Sequence, residues 1–225
     1  MDFALTALLQ KHSSSFHPIV PFNQSTDRIV DLALDSSELT TSIVADVNLF
    51  TNWINAVRKE KNAQYLIGGY KENRTLVYAA SKLFDSEEAR TLHLGIDIWG
   101  EEGTPIFAPL GGMIHSFAHN NNYGDYGATI ILQHQLETIS FYTLYGHLSL
   151  ADIASLRVGQ FITRGNCFAH LGNAAENGQW PPHLHFQVII DIGQYQGDYP
   201  GVCKLSEAKT YLNNSPDPSP LIHLF

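Results

Sequence analysis

His183-Leu184-His185-Phe186-Gln187-Val188-Ile189-Ile190 is the stretch that decides the fold. Its β-branched and aromatic content predicts a strand, and Pro181-Pro182 ends whatever precedes it and stiffens the entry. Residues two apart on a strand share a face, so His183 and His185 project together while Leu184 and Phe186 point to the other side. Upstream, His93-Leu94-Gly95-Ile96-Asp97 places His93 and Asp97 four residues apart. A strand would again put them on one face. Gly95 permits a bulge or a close approach between them, and with Ile96 and Ile98 it argues against a helix. A strand or bulged strand is expected here.

Outward from these two stretches, the chain from Leu92 onward reads as short strands separated by Gly, Pro and Asn turns such as Gly111-Gly112 and Asn121-Asn122. That pattern predicts a mainly β core, an antiparallel β-sandwich or barrel-sandwich hybrid, over residues 91–195. Residues 1–90 differ in character and read as an N-terminal α/β extension. Within it, Asp46 to Lys61 predicts a helix with Asp46 as N-cap, Val47, Phe50, Ile54 and Val57 at amphipathic spacing, and Arg58, Lys59 and Lys61 at the C-terminal end favoured by the macrodipole. Arg28 to Leu34 predicts a short strand. Gly68 to Arg74 reads as a turn-rich connection; the sharper alternative has it, or the Asn23 segment, lying over a cleft and limiting access. Residues 196–225 are expected to hold a short helix near Ser206 to Leu212, followed by a proline-punctuated extended arm over Asn213 to Pro220.

A length of 225 residues, 44% hydrophobic and 16% charged, suits one large globular domain or a core with an extension. The formal net charge of -9 argues against a nucleic-acid partner. No apolar run approaches the roughly 18 residues of a membrane span. Met1 to Lys11 lacks the basic start and small-residue cleavage site of a signal peptide, so an amphipathic helix and a cytoplasmic location are expected. Cys167 and Cys203 are too few for a disulfide framework and are read as reduced thiols.

Two imidazoles and a carboxylate, from His93, Asp97 and His185, form a donor set that suits Zn²⁺ and leaves a fourth position open. A third motif, Tyr145-Gly146-His147-Leu148-Ser149, follows the β-rich run Ile139 to Leu144. In order, His-x-x-x-Asp, Tyr-x-His-Leu-Ser and Pro-His-Leu-His-Phe resemble the zinc metallopeptidases of the lysostaphin and LytM type. Gly103 to Pro109, Asn122 to His134, and Val158-Gly159-Gln160 through Leu171-Gly172-Asn173 are similar to the segments between those motifs, so the likeness runs from about Leu92 to Ile190. The resemblance implies that His93, Asp97 and His185 hold zinc, while His147 and His183 flank the open position as acid–base and oxyanion-stabilising groups. It implies hydrolysis of peptide bonds in peptidoglycan stem or cross-bridge peptides by a zinc-activated water. A cytoplasmic location sits awkwardly with a cell-wall substrate, so export by another route or a soluble peptide substrate is the further expectation.

Two departures from the family pattern stand out. Gln187 occupies a position commonly acidic, and Ala174 to Trp180 puts a polar, Trp-bearing loop close to the last motif, where it is expected at a cleft rim. His12, His17, His115, His119, His134, His170 and His223 are expected to be ordinary histidines, with His134 in a hydrogen-bonding role. Two other functional classes compete. A non-catalytic binding or regulatory module on the same fold would usually have lost ligands. A phosphotransfer domain would need neither Asp97 nor the His183/His185 pair.

Overall fold

The computed structural model describes residues 2–34, 38–78 and 88–222; His223 lies outside them. The chain is mainly β. One open eight-stranded sheet dominates, in the order β1 (Ile29–Asp31), β2 (Tyr65–Gly68), β4 (Ile96–Trp99), β11 (His183–Ile189), β8 (Ile139–Leu148), β7 (Gly127–Leu136), β6 (Gly112–Asn120) and β9 (Phe161–Ile162). Among the described residues only β1 and β2 pair in parallel, so the sheet is mixed, and it does not close into a barrel. Two small antiparallel pairs lie beside it: β5 (Pro105–Phe107) with β10 (Cys167–His170), and β3 (Leu92–His93) with β12 (Val202–Cys203).

Central strand β11 is buried along its whole length. Its alternation still divides the chemistry: Leu184, Phe186 and Val188 enter the main apolar core, while His183, His185 and Gln187 occupy the opposite face. Register then fixes their neighbours. His185 lies opposite Asp97 on β4 and Gly146 on β8, and His183 lies opposite Trp99.

His93 and Asp97 do not share a strand. The chain breaks at Leu94-Gly95, and His93 belongs to β3, which pairs with β12 instead of the main sheet. The physical reason lies in the His185 ring: a Cβ on Gly95 would sit 2.7 Å from His185 Cε1 and Nε2. Glycine thus serves the close approach, and the kink there turns His93 towards Asp97 from a second direction.

The N-terminal residues complete the same fold. β1 and β2 extend the sheet beside β4. Leu5 and Leu9 of α1 (Asp2–His12) join Phe16, Ile19 and Val20 in the main core. Two short helices, α2 (Thr41–Val44) and α4 (Thr75–Tyr78), flank α3 (Val47–Glu60) in sequence. Asp46 caps α3 by accepting from Asn48 N at 2.8 Å and Leu49 N at 3.2 Å, and Phe50 and Ile54 pack with Leu66 and Trp99. After β8 comes α5 (Leu150–Ile153), and after β12 comes α6 (Ala208–Asn214). The tail is less of a free arm than its prolines suggest. It ends in α7 (Ser219–Ile222), whose Leu221 and Ile222 are fully buried in the main core. Apolar burial of these two side chains anchors the tail. Among the described residues, no helix is long and apolar enough to cross a membrane.

His134 on β7 is a structural histidine. Its ring donates from Nδ1 to Gly111 O at 3.0 Å and pairs through Nε2 with Thr143 Oγ1 at 2.7 Å. Burial pushes its pKa down to about 4, only partly offset by the Gly111 carbonyl. The unfolded chain, with an ordinary value near 6.5, therefore takes up a proton first as pH falls. His134 contributes stability above pH 6.5 that is lost as pH drops towards 4, in total about 3 kcal/mol. Urea midpoints measured from pH 7 to pH 4.5 should fall steeply in the wild type and less steeply in His134→Gln; equal slopes would contradict this assignment.

Candidate metal centre

His93 Nε2 and His185 Nδ1 lie 2.9 Å apart, with Asp97 Oδ1 3.1 Å from the second and 3.4 Å from the first. All three side chains are buried. The protons on these rings are committed elsewhere. His93 Nδ1 is 2.9 Å from the Gly69 carbonyl, which can only accept, so that nitrogen carries the hydrogen. Gln187 donates from Nε2 to Pro200 O at 3.2 Å and to Ser215 Oγ at 2.9 Å, which turns its Oε1 to accept from His185 Nε2 at 3.0 Å. Two imidazole lone pairs and a carboxylate oxygen therefore face one another. Without a cation between them, that arrangement is repulsive. Zinc–donor distances of about 2.0–2.2 Å need donors roughly 3–3.5 Å apart, so the set fits this ion.

Electrostatics keep His93 and Asp97 in their ligating forms. Burial together with the Arg74 charge pushes His93 down to about 4, so its imidazole is neutral at pH 7. Burial drives Asp97 upward, but His93, Arg74 and His183 outweigh it and hold the carboxyl well below its usual range. Arg74 Nη1 donates to Asp97 Oδ2, leaving Oδ1 for the centre, and Arg74 Nε donates to Glu72 Oε2 at 2.6 Å. Burial opposes the Arg74 charge, and Asp97, Tyr78 and Glu72 together raise its pKa nonetheless.

His147 and His183 stand beside this cluster with ring centroids 4.1 Å apart. Each donates from Nδ1 to a carbonyl, His147 to Asn177 O at 2.8 Å and His183 to Pro181 O at 2.7 Å. Each Nε2 is left with a lone pair, and that of His183 lies 3.9 Å from Asp97 Oδ2. Burial and the neighbouring His183 hold His147 well below its ordinary value, and burial also lowers His183 despite Asp97. Trp99 stacks on His183 with centroids 5.7 Å apart. His147 has a φ of 62°, a left-handed conformation that non-glycine residues adopt rarely and that is met at functional sites.

A cavity of about 330 Å³ opens over the cluster. One wall comes from loops beside the cluster, including Tyr126, Trp180 and Tyr199. The other comes from Leu34, Phe50, Arg74, Val77 and Tyr78 of the N-terminal residues. Gly68 to Arg74 is thus more than a connection, because it supplies the Gly69 carbonyl and the Arg74 guanidinium. The Asn23 segment does not line the cavity.

The profile of peptidase family M23 matches residues 91–197, just under half of the chain. Over these residues the chain is similar to an M23 peptidase domain. M23 peptidases are metallopeptidases, in keeping with the buried His93/Asp97/His185 cluster. Over 99 residues the chain is 31% identical to an uncharacterized metalloprotease of Haemophilus influenzae, covering 44% of this chain and 19% of that protein. The chain therefore spans about a fifth of that relative's length. It overlaps the catalytic domain of lysostaphin from Staphylococcus simulans at 21% identity and a TM-score of 0.45, covering 76% of this chain and 96% of that one. A zinc containing peptidase from Vibrio cholerae overlaps at 26% identity and a TM-score of 0.35, covering 44% of this chain and 27% of that one.

Some of this site escapes sequence reading. The Gly69 and Asn177 carbonyls act through the backbone, which leaves no side-chain signal. Arg74 and Glu72 lie outside the matched motifs. Gln187, by contrast, was visible as a departure, and its amide oxygen does what an acidic side chain would do there: it accepts from His185 Nε2 and so points Nδ1 at the centre. Groups that orient a metal-binding imidazole typically contribute 10- to 100-fold to affinity. Gln187→Leu is therefore expected to bind zinc about 10- to 100-fold more weakly in competition with a chromophoric chelator, and an unchanged affinity in the folded variant would contradict the role.

Proposed function

We propose that this M23 protein is a zinc-dependent endopeptidase acting on peptidoglycan stem or cross-bridge peptides, or on a soluble peptide of the same chemistry. The observation that carries the proposal is the meeting of three converging donor atoms, from His93, Asp97 and His185, beside two histidines that spend Nδ1 on carbonyls and keep Nε2 free. His93, Asp97 and His185 would hold the ion. Zinc would supply Lewis-acid polarisation of a carbonyl and a nucleophile at neutral pH. Arg74 and Gln187 keep the carboxylate and the imidazole aimed.

The remaining work falls to the two free histidines. In the neutral form, an Nε2 lone pair accepts the proton released as the nucleophile attacks, and the resulting imidazolium returns it to the leaving amine. The partner Nε2, once protonated, donates to the developing oxyanion. Trp180 also lines the cavity, and its buried indole N–H has no hydrogen-bond partner among the described residues. Trp99, Tyr126 and Tyr199 line the same cavity and give it aromatic surface for a peptide substrate.

Incubating the full chain with purified muropeptides and with glycine-rich peptides, with and without chelator, tests this reading by mass spectrometry of the products. Chelator-sensitive cleavage of an internal amide bond is expected. No cleavage of either substrate class by zinc-loaded protein would favour a binding module on the same fold.

A further inference from the structure

Outside the metal centre, Cys167, His170 and Asp152 form a second chemical cluster, and none of them lines the cavity. Cys167 and His170 are three apart on β10, an odd separation that puts side chains on opposite faces of a regular strand. Here β10 carries a bulge. Cys167 pairs with Phe107 and Ala169 with Ile106, so Phe168 is an extra residue. The extra residue restores the parity, and bulges of this kind re-aim side chains next to functional sites. As a result Cys167 Sγ lies 3.7 Å from His170 Nε2. On the far side of the ring, Asp152 Oδ1 and Oδ2 lie 3.1 and 3.3 Å from His170 Nδ1, and Oδ2 also accepts from His170 N at 2.6 Å. Asp152 therefore fixes both ring orientation and tautomer: Nδ1 carries the hydrogen, and the Nε2 lone pair faces the thiol.

We propose that Cys167 is a base-assisted thiol nucleophile, with His170 as its base and Asp152 as the residue that positions the base, and that it accepts reversible covalent modification by small disulfides. A nucleophile, a base within reach and a third group orienting the base is the general signature of an activated side chain. Cys167 is exposed and unpaired, and the His170 side chain is 44% exposed, so a small electrophile can reach the sulfur.

In the reaction, the S–H proton passes to His170 Nε2 as the sulfur attacks one sulfur of the disulfide. A Cys167–S–S–R bond forms and the R–S–S–R bond breaks. The departing thiolate takes the proton back from His170 and leaves as R–SH. Cys167 is oxidised to the mixed-disulfide level, one sulfur of the reagent is reduced, and a free thiol reverses the step. Burial and the Asp152 carboxylate both hold the Cys167 thiol above its ordinary pKa, so the resting sulfur is the S–H form; its proton has two acceptors, Ala169 O at 3.6 Å and His170 Nε2 at 3.7 Å, and attack depends on the second.

That dependence gives a test whose sign discriminates. For a simple exposed thiol, removing the Asp152 charge would lower the thiol pKa and speed its reaction at neutral pH. For the proposed triad, Asp152→Asn keeps an acceptor for His170 N but presents an amide N–H₂ to Nδ1, forcing the hydrogen onto Nε2 and disabling the base. The experiment follows release of thiolate from the aromatic disulfide 5,5′-dithiobis(2-nitrobenzoate) at pH 7 by the folded full chain. Cys203 is buried and its thiol is pushed up to about 11, so it stays silent, and Cys167→Ser should remove the fast phase. The expected result is a rate about tenfold or more lower in both Asp152→Asn and His170→Gln, a modest share of what a positioned base commonly contributes. Unchanged or faster reaction in Asp152→Asn, or an unchanged rate in His170→Gln, would overturn the proposal. Zinc content and peptide hydrolysis are expected to be unaffected in Cys167→Ser, so this result and that of the peptidase reading are independent.

Discussion

Replacing His147 or His183 with alanine is expected to lower kcat/KM for peptide hydrolysis by about 10²- to 10⁴-fold, the usual contribution of a positioned acid–base group, while zinc content stays at the wild-type level. The reason is the division of labour among the four histidines of the centre. His93 and His185 turn their unprotonated nitrogens on each other and on Asp97. His147 and His183 spend Nδ1 on the Asn177 and Pro181 carbonyls and keep Nε2 free. With ring centroids 4.1 Å apart, the two rings would, in the proposed mechanism, act on the same reacting groups. Their effects should therefore be strongly non-additive, and the double variant should be little worse than the poorer single one. Steady-state kinetics paired with elemental analysis of the same samples decides the matter. Unimpaired turnover would remove the residue from the chemistry, and loss of zinc would make it a ligand.

Arg74→Ala is expected to cost about 3–5 kcal/mol of stability, the penalty for stripping one partner from a buried ion pair. Arg74 is 3% exposed, and its loss would leave the Asp97 and Glu72 carboxylates without their shared guanidinium. For a chain of this size that corresponds to a fall in melting temperature on the order of 10 °C. The deficit should shrink when zinc is added, because an ion held by the proposed site would supply positive charge beside Asp97. Arg74→Lys should recover only part of the loss, since one ammonium cannot reproduce the two directed contacts of the Nε and Nη1 groups. Thermal unfolding in chelator and in excess zinc measures all of this. A variant melting within about 2 °C of the wild type would show that the pair contributes little.

The strands that carry the centre were legible because their signals are periodic and local. The alternation of His183, His185 and Gln187 against Leu184, Phe186 and Val188 survives unchanged in the folded sheet. The Asp46 cap and the Phe50/Ile54 face of α3 were legible for the same reason. What was hidden depends on contacts far apart in sequence. The break between His93 and Asp97 arises from the His185 ring pressing on Gly95, which no local pattern records. Likewise, Leu221 and Ile222 follow a proline-rich run that reads as an arm, and their burial comes from core residues distant in sequence, among them Leu5 and Leu9 of α1. The part played by Arg74 was hidden because Gly68 to Arg74 has the composition of a turn. The Cys167–His170 contact needs a bulge whose extra residue, Phe168, looks like any strand residue.

Zinc content is the measurement that bears most directly on the centre itself. The full chain would be dialysed against dilute zinc, freed of loosely held ion, and analysed beside His185→Ala. About one zinc per chain in the wild type, falling below about a tenth in the variant, is the predicted result. A wild-type protein that retains no zinc, or a variant that retains as much as the wild type, would contradict a zinc site built from His93, Asp97 and His185.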